Sequence, residues 1–245
     1  MRRTDSGTAD DRPFWHQRGW QLSAAFLGLV LCSGAVTAVV GVSGDGTDDQ
    51  PRAAAGPLVP GVADGQSRPA GCRTDDGDQR PPQQAPEDVT WRPLNGAKIP
   101  VSPSAGPVQE SGPVLWCFAH TPMGAVMAAN VIPRHMSGAE WQTVTEQQVV
   151  PGVDRDVFVA RRSSMPVSSA QYTANTLAGF MLLSYAPETA TVRLLIRQSP
   201  AVYGTADFTV AWDGGDWKLR PLSGGELHTP VTAVTANGGF VMWKV

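Results

Sequence analysis

The apolar residues are most concentrated in one uncharged stretch near the start of the chain. Residues 19–44 contain no charged side chain, and residues 24–31 at the centre are almost wholly apolar. As a helix with a rise of about 1.5 Å per residue, this stretch would reach ~39 Å, more than the ~30 Å core of a bilayer. The apolar core of a cleaved signal peptide is shorter, about 7–15 residues. The pattern therefore predicts a retained transmembrane helix over residues 19–44.

Charged residues on either side of this stretch predict its orientation. Four basic residues precede it and three acidic residues follow it closely: Arg2, Arg3, Arg12, Arg18, Asp45, Asp48 and Asp49. By the positive-inside rule, we expect residues 1–18 to form a cytoplasmic tail. The chain would cross the plasma membrane once, and the residues after the span would be extracytoplasmic. The alternative is a signal peptide cleaved after Ala38, because Val36 and Ala38 are small enough for the −3 and −1 positions.

Helical patterns come first in the remainder of the chain. Thr121 and Pro122 are typical of an N-cap and a first turn, and the run from Pro122 to Pro133 is apolar on nearly all faces, as in a buried helix that ends at the second proline. Residues 137–140 have the spacing of a capping box for a second helix. Residues 154–162 predict a short third helix.

Strand patterns follow the helical ones. Residues 176–185 are almost wholly apolar and residues 191–197 alternate between apolar and polar, which predicts two strands. Residues 208–220 predict a hairpin with a two-residue glycine turn, and residues 240–243 predict a final strand. Helices packed on one face of a curved antiparallel sheet make an α+β domain.

The register of the hairpin follows from its two-residue turn, Gly214–Gly215. It pairs Trp212 with Trp217 and Val210 with Leu219 on the buried face. The same register places Ala211 opposite Lys218 on the face that we expect to be wetter.

Composition separates a linker from this domain. Residues 45–87 are rich in Pro, Gly, Asp and Gln, and nine acidic but only four basic residues occur from Asp45 to Asp88. Such a segment buries too little apolar surface to offset the entropy of ordering. We therefore predict a disordered acidic linker over residues 45–87 and an extracytoplasmic domain over residues 88–245. The formal net charge of the whole chain, −3, argues against a nucleic-acid binder.

Two of the three cysteines fall outside the predicted span. Cys72 and Cys117 would both face an oxidising compartment, where disulfides persist, and they predict one intrachain bridge. Cys117 and His120 have a spacing that could hold a metal ion or activate a nucleophile. Established metal patterns need two close pairs of ligands, so we expect a bridged cysteine and a histidine that packs beside the first helix.

A resemblance accompanies these patterns. Three helices followed by long strands that end in the Val210–Leu219 hairpin resemble the nuclear-transport-factor-two-like (cystatin-like) cone. An anchor, a Pro-rich tether and such a domain are similar in architecture to the bitopic scaffold subunit of bacterial type IV secretion and conjugation systems. Residues 116–125 and 239–243 resemble an uncharacterised family of actinobacterial membrane-anchored proteins.

No common catalytic or phosphate-binding motif occurs in the sequence. Enzymes built on the cone place carboxylates and a tyrosine inside it, and the candidates here are Asp207, Tyr185 and Tyr203. Alternation of the strand points Asp207 outward, so we predict neither an enzyme nor a cofactor nor a metal site. The predicted interior is apolar and consists of Phe180, Leu182, Leu194, Ile196, Val210 and Trp212.

These features predict a membrane scaffold or assembly subunit of a conjugation or secretion apparatus. Its partners would be other membrane subunits and further copies of the chain, without nucleic acid. The alternative function is an envelope-anchored binding module for a hydrophobic or cell-wall ligand held inside the cone. Whether side chains fill the cone or leave it open separates the two hypotheses.

Overall fold

A computed structural model describes residues 56–58, 68–165, 176–199 and 202–244. The chain divides into two compact units, residues 1–51 and 52–245, and all described residues belong to the second. Within the described residues no helix is both long and apolar enough to cross a membrane. The predicted cytoplasmic tail, residues 1–18, and the predicted span, residues 19–44, lie outside the described residues.

The described residues form three helices and ten strands. The helices are α1 (Pro122–His135), α2 (Trp141–Gln148) and α3 (Val153–Ser163). The strands before them are β1 (Thr90–Leu94), β2 (Ala97–Val101), β3 (Gln109–Ser111) and β4 (Val114–Trp116). The strands after them are β5 (Thr176–Ala186), β6 (Thr189–Ser199), β7 (Val202–Asp213), β8 (Asp216–Arg220), β9 (Thr232–Val234) and β10 (Val241–Met242).

The largest sheet has the strand order β10-β5-β6-β7-β8, with β9 also paired to β7, and all its pairs are antiparallel. Helix α1 packs against β5, β6, β7 and β8. Register shifts in β5 and β6 mark β-bulges, which bend a sheet locally. The described domain is therefore α+β, as the sequence predicts, although the β1-β2 and β3-β4 hairpins that precede the helices were not predicted.

Helix α1 begins where the sequence predicts and ends later. The Thr121 hydroxyl caps it by accepting from the Gly124 N–H at 3.0 Å. The helix continues through Pro133 to His135, so the predicted end at the proline is wrong by two residues. Because Pro133 lies in the last turn, it costs the helix a single hydrogen bond.

The capping box predicted at residues 137–140 is absent. Helix α2 starts at Trp141, its N-cap Glu140 makes no side-chain capping bond, and the Ser137 hydroxyl donates to the Arg134 carbonyl instead. The serine therefore closes the end of α1 and does not open α2.

The β7-β8 hairpin has the predicted register. Trp212 pairs with Trp217 and Ala211 pairs with Lys218 around two glycines whose φ values are both positive. Lys218 lies on the face that was expected to be wetter, but its side chain is only 1% exposed. Its ammonium donates to Asp213 at 3.0 Å and to the Leu58 carbonyl at 3.4 Å, because residues 56–58 cover this position.

The domain begins earlier than the sequence predicts. The predicted disulfide between Cys72 and Cys117 is confirmed. Residues 68–87 nevertheless belong to the predicted disordered linker, and Ala85 within them is only 2% exposed. The Nη2 of Arg68 donates to both carboxylate oxygens of Asp76 at 2.7 Å, and Oδ1 of this carboxylate also accepts from the His120 N–H. Burial would raise the pKa of Asp76, but these hydrogen bonds outweigh it and the pKa is lowered. The disulfide and the ion pair stabilise the ordered conformation of residues 68–87, which contain too few apolar residues to do so alone.

One buried carboxylate connects β8 to the segment before α1. Asp216 is fully buried, and its Oδ2 accepts from the Cys117 N–H at 2.6 Å. Its Oδ1 accepts from the Phe118 and Trp217 N–H groups, each at 2.9 Å. Cys117 has φ +69°, a conformation that is uncommon for a non-glycine residue. Burial raises the pKa of Asp216 to about 7, although the three backbone donors oppose the rise.

Asp216→Asn should lower the free energy of unfolding by about 1–3 kcal/mol, because the amide NH₂ leaves a buried backbone N–H without an acceptor.

Folding raises the pKa of Asp216 from 3.8 to about 7. The stability that this shift contributes is therefore present below pH ~4 and is lost as the pH rises toward ~7. Urea denaturation at about pH 4.5 and about pH 7.5 measures both effects. The stability difference between wild type and variant should be smaller at the higher pH, and equal differences would contradict the pKa shift.

Removing the disulfide should destabilise the domain by about 4 kcal/mol, the loop entropy for a separation of 45 residues. The double variant Cys72→Ala/Cys117→Ala and the reduced wild type should show the same loss in urea denaturation. Cys32→Ala is the matched control, because it leaves both bridging cysteines in place. A midpoint that does not move on reduction would show that the bridge contributes nothing to stability.

Candidate functional site

A cavity of about 690 Å³ lies between the helices and the large sheet. Its walls come from α1, α3, β6, β7 and the loop before β9. The apolar lining includes Met136, Phe158, Leu194, Ile196, Ala206 and Phe208. Ligand sites in proteins are typically clefts of about 300–1,000 Å³ with mainly apolar walls, so the cavity has the size and the lining of a small-molecule site.

One uncharged polar side chain in the lining comes from the middle of α1. Asn130 is 1% exposed, and its Nδ2 donates to the Val126 carbonyl at 2.8 Å. Its Oδ1 accepts no hydrogen bond from the described residues. A buried amide oxygen without a donor costs free energy, so this wall of the cavity has an unused hydrogen-bond acceptor.

Charged residues line the cavity on one side. Arg134 lies in the last turn of α1, and Arg161 and Arg162 lie in the last turn of α3. Glu226 also lines the cavity and forms an ion pair with Arg161. The guanidinium of Arg162 lies 5.1 Å above the ring of Trp141. The cavity therefore combines an apolar interior with a cationic border.

The structure places the six predicted interior residues in three environments. Leu194 and Ile196 line the cavity. Phe180 and Val210 are fully buried in the packed core, and Leu182 is partly buried against it. Trp212 is half-buried and stacks on His120 with a distance of 3.8 Å between ring centroids. Only part of the predicted set therefore forms the open space, and the rest is ordinary core.

Several lining residues were not predicted from the sequence. The sequence predicts Phe208 on the inward face of β7, and the same alternation could have found Ala206, which was not predicted. The sequence also predicts Phe158 on the inward face of the third helix, but the packing of α3 and α1 that brings Phe158 and Asn130 to one cavity is tertiary. A single sequence carries no signal for that arrangement.

Cys117 and His120 are not placed for metal binding or nucleophilic chemistry. Cys117 is fully buried in the disulfide, and His120 Nε2 lies 2.6 Å from the Pro187 carbonyl. Within the described residues, no group of three or more His, Cys, Asp or Glu side chains could hold a metal ion. His120 packs between the start of α1 and the end of β7, as the sequence predicts.

The three acid–base candidates lie apart from the cavity. Asp207 forms an ion pair with Arg193 at 2.6 Å on the other face of the sheet. The Tyr185 hydroxyl donates to Gln79 at 2.7 Å, and burial raises the pKa of this tyrosine. The ring of Tyr203 lies 5.6 Å from the guanidinium carbon of Arg197. The three side chains thus have separate structural partners.

An open cavity predicts that its wall tolerates a larger side chain. Ile196 is half-buried on β6, and Ile196→Trp should change the free energy of unfolding by less than about 1 kcal/mol because the ring enters free space. Ile99 on β2 is fully buried, and the matched change Ile99→Trp should cost about 2–3 kcal/mol through overpacking. Chemical denaturation of both variants makes the comparison, and equal losses would mean that the cavity is effectively filled.

Comparison with known proteins identifies one family. No curated protein and no solved structure matches the chain. One family model matches residues 49–242, which is more than half of the chain and covers all but two of the described residues. The chain therefore belongs to the family described as Domain of unknown function (DUF8175).

Proposed function

We propose that this protein is an envelope-anchored binding module whose ligand is an apolar molecule held in the cavity. The observation that carries the proposal is the open volume of about 690 Å³ beside α1, where a packed core would leave almost no space. Burial of apolar ligand surface at about 25 cal/mol per Å² would supply the main driving force for binding.

The proposal extends to the fold and the location of the domain. The helices, the bulged sheet and the cavity between them would form a nuclear-transport-factor-two-like cone of N-terminal helices on a curved sheet. The cone would be anchored by residues 19–44 with its N-terminus in the cytoplasm. The Cys72–Cys117 disulfide supports an oxidising, extracytoplasmic environment for the domain. The likeness to an uncharacterised actinobacterial family remains part of this proposal.

The test is to identify what the cavity contains in the native cell. The full-length protein is purified from its native membranes into nanodiscs of defined synthetic lipid and extracted with organic solvent. Mass spectrometry should find roughly one apolar molecule per chain that does not come from the nanodisc. Ile196→Trp should lose most of this molecule because the ring occupies the same space.

Leu183→Trp is the matched control for this experiment. Leu183 is 41% exposed on β5 and does not line the cavity, so its substitution adds the same side chain without filling the site. It should retain the wild-type content. Equal extracts from wild type and Ile196→Trp would contradict a ligand in the cavity.

The second candidate is a scaffold or assembly subunit of a conjugation or secretion apparatus, as in the type IV systems. It is favoured by large apolar side chains that are exposed outside the cavity, including Leu183 and Val202 at 43%. Its partners would be other membrane subunits and further copies of the chain.

Crosslinking in cells before the same purification tests this candidate. A scaffold should retain polytopic membrane subunits, and Leu183→Asp should lose them while its extractable ligand is unchanged. Recovery of the same proteins with Leu183→Asp would argue against this surface as the contact.

A further inference from the structure

We infer that the cavity selects amphiphiles with an apolar chain and an anionic head group, and that Arg162 contacts the head group. The inference rests on the proposed function, because it names the chemical class of the ligand in the same cavity. It follows from the distribution of charge at the border of the cavity and from the environment of this one arginine.

The charged lining residues are unbalanced in sign. Three arginines and one glutamate line the cavity, which gives a formal charge of +2 with His228 neutral. Glu226 forms its ion pair with Arg161, so its negative charge is matched by that arginine and not by Arg162. A ligand with an anionic group would be attracted to this border, and a cationic ligand would be repelled.

Arg162 is held in position by groups that do not neutralise it. Its Nε donates to the Met136 carbonyl at 2.9 Å and its Nη1 donates to the Met165 carbonyl at 3.2 Å. The ring of Trp141 lies against the guanidinium. The carbonyls and the ring face orient the Arg162 side chain but do not neutralise its positive charge. Among the described residues no carboxylate forms an ion pair with Arg162.

The opposite wall of the cavity has no comparable charge. Leu194, Ile196, Ala206 and Phe208 lie on β6 and β7 and present aliphatic or aromatic surface. A carboxylate or phosphate buried against these strands would lose its hydration without a partner, which is costly. The two sides therefore select the two ends of an amphiphile, with the chain against the sheet and the head group at the arginine side.

Photo-crosslinking with matched probes tests the inference. The full-length protein in nanodiscs is labelled with a diazirine-tagged fatty acid and with the fatty alcohol of the same chain, and labelled peptides are mapped by mass spectrometry. The acid should label peptides that line the cavity at about tenfold lower concentration than the alcohol, because an ionised hydrogen bond is stronger than a neutral one. Added salt should weaken labelling by the acid and leave the alcohol unchanged.

Three variants assign the preference to one side chain. Arg162→Gln should remove most of the preference for the acid, and Arg162→Lys should retain most of it. Arg197→Gln is the control, because Arg197 is an exposed arginine on β6 that does not line the cavity. If Arg162→Gln does not fold, the salt dependence in the wild type still decides whether the charge matters.

The outcomes separate this inference from the proposed function. Equal labelling by acid and alcohol, or a preference that survives in Arg162→Gln, would overturn the head-group assignment and leave an apolar binding site standing. Failure of both probes to label any peptide of the cavity would overturn the proposed function and the inference together.

Discussion

The hydrogen bonds of the buried Asp216 carboxyl group are the interaction on which the arrangement of the domain depends. It binds the backbone of Cys117 and Phe118 to the first residues of β8 and supports the left-handed conformation of Cys117. Cys117 also forms the disulfide with Cys72. Helix α1 begins only five residues after Cys117. The carboxylate therefore sets the position of both the segment 68–87 and the start of α1 against the sheet.

The cavity follows from what happens further along α1. Residues 125–129 in its first half are completely buried and pack against the sheet. Asn130 and Pro133 in its second half and the following Met136 line the cavity, and α3 forms another wall. Val131 and Ile132 on the same half of the helix remain fully buried, so the cavity opens beside α1 without exposing the core. The same structural element thus supplies both stability and a site where a ligand would bind.

The sequence predicts the positions of most helices and of the long strands well, but it predicts the burial of individual side chains poorly. Local chemistry is enough to determine the Thr121 cap and the turn at Gly214–Gly215, because each depends on a few adjacent residues. The burial of Lys218 depends on residues 56–58, which are far away in sequence and look like linker. The Cys72–Cys117 disulfide was predicted correctly, but the segment that contains Cys72 was predicted to be disordered. For the site, alternation found Leu194 and Ile196 on β6. It could not find the arginines of α3, whose position relative to the sheet is set by tertiary packing.

Methyl NMR on the three isoleucines of the chain reports directly on whether the cavity is open and binds a ligand. Ile196 lines the cavity, whereas Ile99 and Ile132 are fully buried elsewhere and serve as internal references. The full-length protein in nanodiscs is labelled at the isoleucine δ1 methyl groups and titrated with dodecanoic acid. Binding in an open cavity should shift the Ile196 resonance saturably and leave the other two unchanged. An Ile196 resonance that does not move, or that moves only together with the references, would contradict it.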